Sequence, residues 1–289
     1  MLECDEQVPV DAAASPRSEG DADLRPILAR PARDLLPAVA STSHCCDARP
    51  AIVMIPLPLR ADVPRRRFPG MTATLIAVNT AAWLYELHHG VTLATLDYGL
   101  IPSWLLHGIR QGPIELPHLG RALLHQEVPF PWTLLTAMFM HGGWLHIIGN
   151  MWFLWIFGEG VEAAMGGLRF LAFYLLSGLA SSLAQVLVTP ASAEPMVGAS
   201  GAIAGVLGAY LLLYPRARVR CLWILIIFVT FVNLPAWALL GFWFLSQFFV
   251  PMEAGIAWMA HVGGFLAGMV LVGLFAQRQR FGRGSASVQ

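Results

Sequence analysis

The stretch Gly198-Ala199-Ser200-Gly201-Ala202-Ile203-Ala204-Gly205-Val206-Leu207-Gly208-Ala209-Tyr210-Leu211-Leu212-Leu213-Tyr214 decides what kind of molecule this is. It is apolar along its whole length, so it reads as a helix buried in hydrocarbon, and it carries one serine near its amino end. Gly201, Gly205 and Gly208 follow at the small-residue spacing that lets two helix backbones approach closely. A second helix of the same kind is expected near the carboxyl end, where His261 is followed by Gly264 and Gly268.

The rest of the chain agrees with a membrane setting. Of 289 residues, 56% are hydrophobic and 12% charged, and the mean hydropathy is +0.61, which is too apolar for an ordinary soluble domain. The expected fold is an all-α polytopic membrane protein. Net charge is zero and every basic residue is arginine; no basic run is interleaved with aromatics, which speaks against nucleic acid as a partner. Cys4, Cys45, Cys46 and Cys221 have no metal-ligand spacing. The acidic opening Met1 to Glu6 is not a secretory signal. Residues 1–53 hold too few large apolar side chains to offset the entropy of ordering them, and read as a disordered tail. Met54 is a second possible start, opening a juxtamembrane segment, 54–70, and residues 277–289 read as a carboxyl tail.

A spanning helix needs roughly 20 mostly apolar residues. Six segments qualify: 71–89, 132–158, 168–187, 198–214, 231–249 and 256–276. Cys221 to Val232 is apolar but short, and is expected to be an interfacial approach to the fifth helix, with one long kinked helix as the rival reading. Arg60, Arg65, Arg66, Arg67, Arg169, Arg216, Arg218, Arg220, Arg278, Arg280 and Arg283 fall on one side, and only Arg110 and Arg121 on the other. Short basic loops stay in the cytoplasm, so both termini are expected there. The outer loop 90–131 is expected to rest partly in the outer leaflet.

Depth brings the polar residues together. At 1.5 Å per residue, Ser200 stands roughly 24 Å above Arg216 and His261 roughly 25 Å above Arg278. If Glu162 marks the inner end of the second helix, His146 is also roughly 24 Å up and Asn150 roughly 18 Å. His146 and Asn150, four apart, share one helix face. Polar groups at this depth are costly unless they meet protein or water, so His141, His146, Asn150, Ser200 and His261 point to one shared cavity. No acidic residue is expected at that level apart from Glu253, in the loop before the sixth helix. Packing of the fourth and sixth helices would let His261 take the proton of Ser200 as it attacks a carbonyl. Asn150, the His146 ring and the Ser200 backbone N–H are the donors available to the oxyanion.

These residues resemble the rhomboid family of intramembrane serine proteases, over residues 70–276. Met140-His141-Gly142-Gly143-Trp144-Leu145-His146-Ile147-Ile148-Gly149-Asn150-Met151 is similar to that family's His-x-x-x-Asn signature. Gly198-Ala199-Ser200-Gly201 matches its nucleophile motif, and Ala260-His261 with Gly264 and Gly268 its last-helix motif. The resemblance implies a six-helix bundle over 71–276 and a Ser200–His261 dyad. It implies oxyanion and site support from Asn150, His146 and Gly198, with His141 lining the water cavity. It also implies single-span membrane proteins as substrates within the lipid bilayer, and a lateral gate at the fifth helix and 250–256, with Pro251 and Met252. Met54 to Pro69 looks like the amino end of bacterial members, which points to a bacterial cytoplasmic membrane. Two departures stand out. Some members carry an aromatic residue where this chain has Ala204, which leaves open what orients the His261 ring, and Trp104 is followed by Leu105 rather than arginine.

Each motif has a plainer reading when taken alone. Gly198–Gly201 suits a helix-packing patch, and His261, or His146 with Asn150, suits interhelical hydrogen bonding. A catalytically silent relative that binds membrane helices is the alternative to a protease, and a transporter a third reading. No His-Glu-x-x-His run exists, so neither zinc nor any other cofactor is expected.

Overall fold

The computed structural model describes residues 56–63, 68–108, 111–116, 120–129, 131–225, 228–250 and 257–277. The expected tail before Met54, Arg65 to Arg67, the proposed cap at Pro251 and Met252, Glu253, and the arginines after 277 lie outside the described residues. Everything described belongs to one compact unit, Ile52–Gln289.

Helices dominate. α1 (Gly70–His89), α5 (Trp144–Met165), α6 (Gly167–Val188), α7 (Ser200–Leu213), α8 (Ala236–Ser246) and α9 (Trp258–Phe275) form the bundle. α6 and α9 are each long and apolar enough to cross a membrane. α7 is its axis, packed against α5, α6 and α9. Every residue from Gly201 to Tyr210 is buried, as expected of a helix apolar on all sides.

Close approach is what the glycines of α7 and α9 provide. A β-carbon on Gly264 would run into the carbonyl oxygen of Gly201, and one on Gly268 into that of Gly205. Gly205 is closed on its other side by Ser177 of α6. The two backbones therefore touch directly, and the relative position of their amino ends is tightly set.

Two buried carboxylates fix α1 at both ends. Glu162, near the carboxyl end of α5, accepts the backbone N–H groups of Met71 and Thr72 at 2.9 and 2.7 Å, satisfying donors that a helix amino end leaves without partners. Glu86, wholly buried near the carboxyl end of α1, accepts the His141 backbone N–H at 2.9 Å. Glu86 is sixteen residues beyond Gly70, roughly 24 Å along the helix, so an acidic residue does stand at the level where none was expected. It grips the backbone before α5.

The second helix differs from its expected range of 132–158. A short turn, α4 (Thr133–Thr136), is followed by irregular chain through Gly143 before α5 begins. Gly142 and Gly143 weaken helix at that point by about 1 kcal/mol each relative to alanine. At the other end the helix continues past Glu159 and Glu162, which are buried rather than marking an exit to water.

The chain is also not wholly helical. β1 (Leu57–Ala61), β4 (Arg218–Leu225) and β5 (Phe228–Pro235) form an antiparallel sheet in the order β1-β4-β5. Cys221 to Val232 therefore belongs to a hairpin, with Cys221 opposite Val232; the approach to the fifth helix is made by strands, and the rival reading of one long kinked helix does not hold. The segment's Ile, Val, Thr and Phe content favours a pleated strand over a helix. The fifth helix is correspondingly shorter than 231–249, with a 3₁₀ turn, Gln247–Phe249, at its end.

The loop that follows α1 has structure of its own: α2 (Val91–Tyr98), α3 (Pro102–His107), and a hairpin of β2 (Gln111–Leu116) with β3 (Gly120–His125). Leu96, Ile101 and Trp104 form a small core. Leu100 pairs with Met196 through hydrogen bonds of 3.0 and 2.7 Å, tying this loop to the segment that leads into α7.

Candidate active site

Ser200 is the first residue of α7, where the N–H groups of the opening turn have no intrahelical partner and the helix dipole is positive. The chain reaches it through Gly198, whose φ of 129° is a conformation that side-chain-bearing residues rarely adopt. A β-carbon at Gly198 would also stand 2.6 Å from His146 Nε2. Glycine is thus required twice over, by backbone and by space. The Gly198 N–H donates to the Ala137 carbonyl at 2.8 Å, so it is engaged in holding the turn.

His261, in the first turn of α9, meets Ser200 directly: its Nε2 is 2.9 Å from the serine Oγ. The pair borders a cavity of about 810 Å³, which His146, Asn150, Trp243 and Trp258 also line. Three helices predicted to bring polar groups to one layer do converge there, α5, α7 and α9.

His146 stands in the first turn of α5, its Nδ1 3.4 Å from the Gly142 N–H. That assignment leaves the proton on Nε2, the nitrogen nearest Gly198. Asn150, one turn further along the same face, is buried, and its Nδ2 has no hydrogen-bond partner among the described residues. A buried amide donor without a partner beside a cavity is free to serve a group that enters it.

His141 differs from expectation. It is wholly buried and is not part of the cavity wall. Its ring meets that of His146 edge-on, with centroids 5.1 Å apart, and its Nδ1 donates to the Phe139 carbonyl at 3.2 Å. It backs His146 because the chain between α4 and α5 folds inward, held by Glu86.

Sequence reasoning missed Gln247. Its Oε1 lies 2.7 Å from His261 Nδ1, on the side of the ring opposite Ser200. Trp243, one turn earlier on α8, lies beside the ring with centroids 6.0 Å apart, so the ring has an aromatic neighbour from a helix other than the one that carries Ala204. The signal was present: Ser246 and Gln247 are the polar residues in an otherwise apolar run from Ala236 to Phe249, and an amide at membrane depth needs a partner. Gln185 has a comparable structural part, its Oε1 accepting the Ala260 N–H at 3.1 Å and so joining α6 to α9 beside His261. Among the described residues no group of histidines, cysteines and carboxylates is arranged to hold a metal ion.

The sequence pattern of the Rhomboid domain family matches residues 130–278, just over half of the chain. Several curated proteins are similar to about half of the chain. RHOMBOID-like protein 5 of Arabidopsis thaliana is 33% identical over 158 residues, covering 52% of this chain and 46% of that protein. Rhomboid protease GluP of Bacillus subtilis is 35% identical over 140 residues, 47% of this chain and 24% of that protein. Rhomboid protein 1, mitochondrial, of Saccharomyces cerevisiae is 31% identical over 172 residues, 51% and 44%. The match thus spans less than half the length of each of these relatives. With its helical bundle, its membrane-spanning apolar helices and this family match, the chain belongs to the rhomboid family of integral membrane proteins.

Proposed function

We propose that this chain is an intramembrane serine endopeptidase that cleaves single-span membrane proteins near the outer face of the bilayer. The observation that carries the reading is the 2.9 Å approach of His261 Nε2 to Ser200 Oγ at the wall of a roomy cavity. Binding a membrane helix without cutting it needs no such contact. The likeness to a relative named a protease adds support.

In this reading His261 Nε2 removes the hydroxyl proton as Ser200 Oγ bonds to the peptide carbonyl carbon. The carbonyl oxygen takes up the negative charge and is met by Asn150 Nδ2, His146 Nε2–H and the Ser200 N–H, donors held in place before the charge develops. Collapse of the intermediate breaks the C–N bond, and His261 returns its proton to the leaving amine. Water then enters, gives a proton to His261, attacks the ester carbonyl, and releases the acid with Ser200 restored.

Six crossings by α1, α5, α6, α7, α8 and α9, with both termini in the cytoplasm, accompany this function, supported by the arginine distribution. That orientation puts Ser200 and His261 toward the outer side. The amino segment from Met54 to Pro69 supports placement in a bacterial cytoplasmic membrane. Ser200→Ala and His261→Ala should each abolish cleavage of a reporter transmembrane substrate while leaving expression intact, and a fluorophosphonate probe should label the parent at Ser200. Undiminished cleavage by Ser200→Ala ends the assignment, and a parent chain that neither labels nor cleaves is the silent relative.

A further inference from the structure

We infer that Gln247 is a positioning residue, the third member behind Ser200 and His261, which holds the His261 ring in the tautomer that leaves Nε2 free to accept a proton. The inference rests on the protease reading for its purpose, though its geometry stands without it.

The amide of Gln247 cannot turn over freely. Its Nε2 donates to the Trp243 carbonyl at 2.9 Å and lies 3.2 Å from Ser246 Oγ. Those partners hold the nitrogen on the α8 side, so the amide face turned to His261 is Oε1, an acceptor only. Whatever lies 2.7 Å from it must donate, and that atom is His261 Nδ1. With the proton on Nδ1, the Nε2 lone pair faces the Ser200 hydroxyl. The tautomer is thereby set from behind, by a residue that touches no substrate.

A carboxylate in this position would carry a charge into a buried place at membrane level, where ionised groups are costly. An amide orients the ring and brings no net charge. Gln247 and Trp243 both sit on the α8 side of the cavity, whereas Ser200 and His261 belong to α7 and α9. A displacement of the end of α8 would therefore withdraw both the acceptor and the ring's aromatic neighbour, leaving the base without orientation while the serine stays in place.

The test uses the full chain in detergent micelles with ¹⁵N-labelled histidine. His261 resonances are assigned by their loss in His261→Ala. The parent should show Nδ1 protonated and Nε2 bare. Gln247→Met fills similar space without the acceptor and should show a mixture of tautomers. In cleavage assays its kcat should fall on the order of 10- to 10³-fold with KM little changed, a smaller loss than wrong-tautomer variants of charged triads show. Gln247→Glu, which keeps an acceptor oxygen, should recover at least part of that loss. A parent His261 protonated on Nε2 overturns the proposal, as does a folded Gln247→Met with the parent's tautomer and kcat. Should Gln247→Met fail to fold, the parent spectrum and Gln247→Glu still decide. Normal cleavage by Ser200→Ala would defeat the protease reading while leaving the tautomer result intact, so the two failures are distinguishable.

Discussion

The Glu162 carboxylate receives both the backbone N–H and the hydroxyl of Thr72, each at 2.7 Å, across ninety residues of sequence. The bond joins α5, which carries His146 and Asn150, to the first helix of the bundle. Glu162→Ala leaves those donors buried without a partner, at a cost of about 1–3 kcal/mol for each unsatisfied group. Thermal unfolding in detergent should show a lowered midpoint for Glu162→Ala, with cleavage at low temperature retained. An unchanged midpoint would show that the carboxylate contributes nothing to stability.

Gly198→Ala should damage the site more than the fold. The left-handed backbone costs a side-chain-bearing residue on the order of 1–2 kcal/mol, and the new methyl would press on His146. Fluorophosphonate labelling of Ser200 should slow markedly, with helix content by circular dichroism unchanged. Labelling at the parent rate would mean that the turn before the serine tolerates a side chain.

Gly268→Val tests the contact between α7 and α9. Overpacking of a well-packed interface costs about 1–3 kcal/mol, and here the obstructing atom is the backbone oxygen of Gly205, which cannot rotate aside. Separated helices draw His261 away from Ser200, so stability and labelling should fall together. Loss of one without the other would contradict the direct contact.

Asn150→Ala removes a donor without removing nucleophile or base. Turnover should fall by up to about 10²- to 10³-fold, the range for a single oxyanion donor, and not vanish. The decrease should appear in kcat in a substrate titration. A variant that unfolds would recast Asn150 as structural.

Much of the bundle was legible because lipid imposes a simple code. α1, α6 and α9 lie within two residues of the ranges that hydrophobicity alone marks out. Counting residues up from charged ends pointed to one cavity for Ser200, His261, His146 and Asn150, and the four do line one cavity, although Glu162, the reference for the second helix, is buried. What escaped was decided by tertiary partners. Glu159 and Glu162 look like a helix exit until buried donors are found for Glu162. Cys221 to Val232 is apolar whether it forms a helix or a hairpin, and its pairing with β1, over a hundred residues away, settles which. No spacing in the sequence ties Gln247 to His261: the ring's partners come from α8 and the 3₁₀ turn after it, and not from the helix of the serine, where Ala204 stands.

The paired backbones of Leu100 and Met196 make the approach to the serine a stitched seam rather than a free strap. Three residues separate Met196 from Ser200, and Gly198 between them is itself fastened to Ala137. A proteolytic nick in the loop between α1 and α4, or an antibody fragment clasping it, would be transmitted along a short tether to the hydroxyl. The loop's exterior is therefore a handle on the chemistry, reachable by molecules too large to enter the hollow itself.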